Sequence, residues 1–314
     1  MFPRILVAAV AASVAHGGAA RAKEVHAVGI SVGSLGNPGF VSIAKTAAAQ
    51  LRKVNPGVTV TTVGYDYDLG RQFQEIDNFI ASNVDFILLN PGDPKGISSA
   101  IKKAQDAGIP VVAFDTVGEG ADAAVTTDNV QAGEIACQYI AEHLNGKGNV
   151  IIQNGPQVSS VIDRVNGCKK ALGKHPDLKI LSDDQDGKGS REGGLAVGLT
   201  YLTRFPKIDA VFCINDPQAI GVALAARQRS RSDFIITAVD GSPDMEAALK
   251  DPTFSMIKAS ASQDFYTMPK VAVQIGLGLM NGKKPERTLT LIPSNLVTRE
   301  NVNEYKGWNS VHDD

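Results

Sequence analysis

The feature that most constrains the fold is a regular alternation of apolar runs with segments of helical period, from Val25 onward. Runs such as "VHAVGISV", "DFILLNP" and "IPVVAFDT" have the length of strands. After the first run, Val41, Ala44, Ala48 and Leu51 recur at the spacing of one helix face. The runs are continuously apolar, which indicates strands that are buried on both faces, as in parallel sheets covered by helices. The chain is therefore predicted to be an α/β protein.

The second half of the chain repeats the plan of the first. "DFILLNPGDP…GIPVVAFDT" and "DAVFCINDPQ…SDFIITAVDG" share the order strand, Asn, helix, strand, Asp, and the separation of Asn90 from Asp115 equals that of Asn215 from Asp240. Parallel sheets bind ligands at the carboxyl ends of their strands. We therefore expect two similar domains whose four polar side chains converge on one cleft between them.

The N-terminal 22 residues have the layout of a secretory signal peptide. A basic residue, Arg4, precedes an apolar stretch over residues 5–15, and residues 20–22 read Ala-Arg-Ala, a typical cleavage site. The apolar stretch is far shorter than the roughly 20 residues of a membrane span. The sequence thus predicts export from the cytoplasm and a mature chain that starts near Lys23.

Charge and motif content favour a neutral small-molecule ligand. The formal net charge is −2 and the Lys and Arg residues are scattered, so no nucleic-acid or anionic-membrane surface is indicated. No metal-ligand spacing, P-loop or nucleophile elbow occurs, and we predict no cofactor and no catalytic activity. Asp115 and Asp240 are considered as a glycosidase pair, but carboxylates placed among Asn and Gln residues serve equally to bind hydroxyls.

Several residues have both a local and a functional interpretation. Asp115 and Asp240 each end a strand and precede a turn, where Asp is common for its own hydrogen bonds; their matched spacing favours ligand binding. In "LGNPGF", Asn37 is expected to cap a helix that starts at Pro38. Phe40 is either a buried residue of the first turn or an apolar plate against a sugar ring.

The three cysteines, Cys137, Cys168 and Cys213, lie far apart inside apolar segments. We expect three small buried thiols. One disulfide with a spare thiol is the alternative in an oxidising compartment, and the sequence does not choose the pair.

Seven motifs together resemble the ribose-type periplasmic sugar-binding proteins of ABC importers, in order over nearly the whole mature chain. They are "LGNPGFVSI", "LLNPGDPKGI", "IPVVAFDT", "TTDNVQAGEIACQYI", "FCINDPQAIG", "AVDGSPD" and "SASQD". The resemblance implies a type I periplasmic-binding fold, with two Rossmann-like lobes, a hinge of three crossing strands and a monosaccharide clamped between the lobes. The implied lobes are residues 23–127 plus 264–293 and residues 128–263 plus 294–314.

The resemblance also implies which residues bind the ligand. The main positions are Asn37, Phe40, Asp115, Asn215, Asp240 and Gln263, and Asn90 and Thr127 are second-tier positions that line the pocket.

The chain departs from the ribose-binding pattern at several of its positions. Gly39 stands where a second stacking Phe is expected, and Thr116 replaces an Arg. A further Arg position falls on Ile162, which leaves Arg164 as the nearby guanidinium. Another aromatic position falls near Gly189. Thr116 and Arg164 are kept among the predicted ligand-binding residues.

These departures mean that ribose should not be assumed as the ligand. Tyr65 and Tyr67 are candidates for the missing stacking partner. We expect a neutral pentose or hexose, with a sugar alcohol or a furanosyl quorum signal as alternatives.

The resemblance further implies a periplasmic monomer that delivers its solute to an ABC permease in the inner membrane, with a chemoreceptor as another candidate partner. Sugar-responsive transcription regulators share the fold, but they need a helix-turn-helix of roughly 60 residues ahead of the first strand. The predicted signal peptide occupies that place and speaks against this alternative.

Overall fold

The computed structural model describes residues 23–308. The predicted signal peptide, residues 1–22, lies outside the described residues. Within them, twelve strands form two sheets. The strands are β1 (Ala27–Val32), β2 (Thr59–Gly64), β3 (Phe86–Leu89), β4 (Val111–Phe114), β5 (Ala123–Thr127), β6 (Lys147–Gln153), β7 (Asp177–Ser182), β8 (Ala210–Cys213), β9 (Ile235–Asp240), β10 (Ile257–Ser262), β11 (Leu289–Ile292) and β12 (Leu296–Thr298).

Each sheet is built mainly from one half of the chain. The first has the order β11-β5-β4-β3-β1-β2 and is parallel throughout. The second has the order β12-β10-β9-β8-β6-β7, in which β12 alone runs antiparallel to its neighbour. The predicted α/β architecture is confirmed.

Helices cover the sheets and connect their parallel strands. They are α1 (Pro38–Val54), α2 (Leu69–Ala81), α3 (Ser98–Asp106), α4 (Asn129–His143), α5 (Ser159–Leu172), α6 (Arg191–Arg204), α7 (Asp216–Gln228), α8 (Pro243–Lys250) and α9 (Thr267–Met280).

Central and edge strands differ in burial as the apolar pattern predicts. Every residue of β3, β4, β8 and β9 is buried, because helices cover both faces of these strands. The edge strand β2 alternates exposed and half-buried residues at its start, which matches the polar threonines of "VTVTTVGY".

Within residues 23–308 the chain passes between the two sheets three times. The crossings join β5 to α4, β10 to α9, and β11 to β12. The lobe boundaries given above stay a prediction.

The expectation of three buried thiols is wrong, and the alternative of one disulfide with a spare thiol is confirmed. Cys137 in α4 and Cys168 in α5 form a disulfide, with their Cα atoms 5.0 Å apart, and only Cys213 is a buried free thiol among the described residues. The two helices approach closely because Gly133 and Gly167 have no side chain: a Cβ atom at either position would collide with a backbone carbonyl of the other helix. Helix packing therefore selects the pair.

Candidate functional site

The first wall of the site is the start of α1. The Asn37 side chain accepts a hydrogen bond from the Gly39 amide at 2.9 Å, and Pro38 occupies the first helical position. The predicted helix start is confirmed. Phe40, in the first turn of the helix, is half-buried at the edge of the core of the first sheet, with its ring centroid 6.4 Å from that of Tyr67.

The two predicted acidic strand ends lie on the same cavity. Asp115 follows β4 and belongs to the first sheet, whereas Asp240 ends β9 of the second. Both side chains are buried, and both residues have a positive φ, 64° for Asp115 and 139° for Asp240. Such backbone conformations are strained for non-glycine residues and persist only where the surroundings hold them.

A cavity lies between these strand ends. About 50 Å³ of it is open to the centre of a water-sized sphere, well above the roughly 10–15 Å³ that one water molecule needs on that measure. Nine of the ten positions predicted from the sequence line it, and the second-tier position Thr127 does not. The full lining is Asn37, Gly39, Phe40, Tyr67, Asn90, Asp115, Thr116, Pro156, Val158, Ser160, Val161, Arg164, Gly189, Ile214, Asn215, Asp240, Gln263 and Phe265. The structure places these residues around one cavity. Their role in binding a ligand stays a prediction.

Arg164 and Gln263 hold the carboxylate of Asp240. Arg164 Nη1 donates to Asp240 Oδ1 at 3.3 Å and to the Ile214 carbonyl at 2.9 Å. Gln263 Nε2 donates to the same Oδ1 at 2.8 Å, and Thr127 Oγ1 donates to Gln263 Oε1 at 2.7 Å. Thr127 ends β5 of the first sheet and Gln263 directly follows β10 of the second, so this network joins the two sheets where the chain crosses between them.

A second network holds Asp115. The Asn90 amide donates to Asp115 Oδ2 at 2.9 Å and to Thr116 Oγ1 at 2.8 Å. Thr116 Oγ1 in turn donates to the Pro91 carbonyl at 3.0 Å, so its proton is already committed within the protein. Tyr65 Oη donates to Asn90 Oδ1 at 3.3 Å; Tyr65 is fully buried behind Asn90 and does not line the cavity.

Burial shifts the titration of the acidic groups. Loss of solvent raises the pKa of Asp115 to about 6, opposed by the nearby Arg164 guanidinium. The pKa of Asp240 is also raised by burial, with Arg164 and Gln263 acting in the opposite direction. A third carboxyl, Asp216, lies behind Asp240 and accepts from Ser260 Oγ at 2.6 Å and from the Ser242 amide at 2.7 Å. Burial and the charge of Asp240 raise the pKa of Asp216 strongly.

Several lining residues escape the sequence analysis. Phe265 supplies an aromatic ring in addition to Phe40, and its ring lies beside Gly39, where the ribose-binding pattern has a Phe. Tyr67, in contrast, is named by the sequence analysis as a candidate stacking residue, and it lines the cavity beside Phe40. The sequence signal that could have identified Phe265 is its position two residues after Gln263, which is a predicted site residue.

Two other features, a metal-binding group and a membrane-spanning helix, are not found among the described residues. No group of three or more His, Cys, Asp or Glu side chains in residues 23–308 is arranged to hold a metal ion. In the same range, no helix combines the length and the apolar character needed to cross a membrane.

Comparison with known proteins gives one consistent result. The model of the periplasmic binding protein domain family matches residues 28–284. The ribose import binding protein RbsB of Bacillus subtilis (strain 168) is 32% identical over 272 residues, which covers 85% of this chain and 86% of the relative. The xylitol-binding protein of Mycolicibacterium smegmatis is 28% identical over 242 residues, covering 76% and 68%.

Among solved structures, an ABC transporter solute-binding protein from Bacillus halodurans C-125 with bound myo-inositol superimposes with a TM-score of 0.82. It is 26% identical, and the match covers 91% of this chain and 99% of that one. The resemblance read from the motifs is thereby confirmed, and the chain belongs to the periplasmic binding protein family, with ribose-type proteins of ABC importers among its relatives.

Proposed function

We propose that the protein is the solute-binding subunit of an ABC importer and that it captures a neutral monosaccharide or polyol between its two lobes. The observation that carries the proposal is the composition of the cavity. Two carboxylates accept hydrogen bonds from hydroxyls, while the amides of Asn37, Asn215 and Gln263 can both donate and accept. Hydroxyl groups also donate and accept, so a polyhydroxylated ligand complements these walls.

Charge and shape narrow the class further. The charged side chains that line the cavity are Asp115, Asp240 and Arg164, which leaves no positive excess for an anionic ligand. Phe40 and Phe265 offer apolar surface for the C–H face of a ring. The relatives named for ribose and xylitol, and the solved structure with myo-inositol, support the same chemical class.

The mechanism follows from a site that draws its walls from both sheets. A ligand that contacts Asp115 on one side and Asp240 on the other binds the closed form better than an open one, and it shifts the population toward closure. The permease in the inner membrane then recognises the closed form. The protein acts as a monomer in the periplasm, after removal of the predicted signal peptide, and it does not alter its ligand chemically.

A thermal-shift screen against pentoses, hexoses and alditols tests this function. At a concentration of 100 times its Kd, a ligand of the folded state stabilises it by about 2.7 kcal/mol, which raises Tm by roughly 5–10 °C in a protein of this size. The solute should be recovered unchanged by mass spectrometry. A screen in which no sugar or polyol raises Tm would overturn the proposal.

A further inference from the structure

The last described residues return to the site. The segment after β12 packs on the second sheet, where Val302 is buried in the core. From there Tyr305 Oη donates to the Gly241 carbonyl at 3.0 Å, and Trp308 Nε1 donates to the Asp240 carbonyl at 2.7 Å. Two consecutive carbonyls at the end of β9 are therefore bound by side chains of one terminal segment.

The carbonyl that Trp308 binds belongs to a residue in a strained conformation. Asp240 has φ 139°, and Gly241 after it has φ 68°. The same carbonyl also accepts from the backbone N–H of Gln263 at 2.9 Å. Strain of this kind persists only where contacts over-determine the backbone. The backbone of Asp240 is the base from which its carboxylate extends into the cavity. These two donors therefore act on the direction of the carboxylate, together with the side-chain hydrogen bonds from Arg164 and Gln263.

The ring of Trp308 also supports the opposite wall. Its centroid lies 4.5 Å from that of Phe265, with the planes tilted by 49°. Phe265 lines the cavity, and both rings belong to the core of the first sheet, together with Met268 of α9. Trp308 is only 6% exposed. One side chain thus contacts the backbone of Asp240 in the second sheet and the apolar wall built on the core of the first.

We propose that Trp308 is a positioning residue of the binding site. Its indole N–H holds the backbone carbonyl of Asp240, from which the carboxylate extends, and its ring packs on Phe265. This inference rests on the proposed function, since it needs a solute in the cavity. It adds a residue that does not itself line the cavity. Trp308 is the single tryptophan of the chain, so its fluorescence reports on this contact alone.

The test compares Trp308→Phe with Tyr305→Phe, using the solute that the thermal screen identifies. Trp308→Phe keeps an aromatic ring against Phe265 but removes the N–H donor to Asp240. Tyr305→Phe removes a donor from the same segment to the next carbonyl, so it is the matched control. We expect about a tenfold loss of affinity by calorimetry for Trp308→Phe, as for one hydrogen bond, and less than twofold for Tyr305→Phe. The Tm of the solute-free protein should fall by similar amounts in both.

The wild-type protein supplies a second readout if Trp308→Phe does not fold. The emission of Trp308 should change on titration with the solute, with a midpoint equal to the calorimetric Kd. An unchanged Kd in Trp308→Phe, equal losses of affinity in both variants, or an emission that does not respond to a bound solute would each overturn the inference. A wild-type protein that no sugar or polyol stabilises would contradict the proposed function itself, and this is seen before any variant is made.

Discussion

Replacement of Asp240 by Asn is the sharpest test of the cavity, because it removes one charge and keeps the shape. Asp240 Oδ1 accepts from Gln263 at 2.8 Å and from Arg164 at 3.3 Å, and an Asn oxygen can accept from both. Arg164 also keeps its hydrogen bonds to the Ile214 carbonyl and to Asn129 Oδ1, each at 2.9 Å. The one contact that an Asn cannot replace is the long hydrogen bond from the Asp216 backbone N–H to Asp240 Oδ2, at 3.4 Å. The variant is therefore expected to fold.

The magnitude follows from the kind of hydrogen bond that is lost. A hydrogen bond to a charged group contributes about 1.5–3 kcal/mol, against about 0.5–1.5 for a neutral one. Asp240→Asn should therefore weaken binding of the solute by roughly 1–2 kcal/mol for one hydroxyl, which is about 5- to 30-fold in Kd. The Tm of the solute-free protein should stay the same or rise, since burial disfavours the charged form of Asp240.

Isothermal titration calorimetry of the wild type, Asp240→Asn and Asp244→Asn measures this effect. Asp244 is the matched control: it follows in α8, is 64% exposed in its side chain, and pairs with Arg191 at 2.6 Å on the surface. Exposed pairs of this kind contribute little, so Asp244→Asn should bind like the wild type. An unchanged Kd in Asp240→Asn would refute the placement of this carboxylate against the ligand.

Two further predictions concern Phe40 and Asp115. Phe40→Ala should cost more free energy of solute binding, measured by calorimetry, than free energy of unfolding of the solute-free protein, derived from its Tm. The reason is that the ring is only half-buried at the edge of the core. A larger loss of unfolding free energy would make Phe40 a core residue. Burial raises the pKa of Asp115 from 3.8 to about 6, so the folded protein keeps a proton that the unfolded chain has lost between these values. This contribution to stability is present below pH 4 and is lost as the pH rises to 6, by up to about 3 kcal/mol. Urea unfolding at pH 4, 5 and 7 should show this loss in the wild type and not in Asp115→Asn; parallel pH profiles would contradict it.

The sequence alone determines the layout of the site to a large extent. Apolar runs and helical periods are local patterns, and they predict parallel strands because only strands covered on both faces are continuously apolar. In such sheets the carboxyl ends meet at one edge. The equal separation of Asn from Asp in each half therefore predicts that Asp115 and Asp240 approach one another, as the structure has it.

Contacts between elements could not be predicted in this way, because they depend on how helices pack and where the chain crosses between the sheets. The Cys137–Cys168 disulfide exists because two glycines let α4 and α5 approach closely. Arg164 reaches the Asp240 carboxylate from α5, 76 residues away in the chain.

The C-terminal segment is the clearest example of what only the tertiary structure decided. Nothing near Trp308 in the sequence indicates a binding site, and its partners Asp240 and Phe265 lie 68 and 43 positions before it. Local sequence determines which groups end a strand or start a helix, since these depend on neighbours along the chain. Which distant side chain then holds such a group in place depends on the packing of the whole molecule, and the packing alone brought Trp308 against the end of β9.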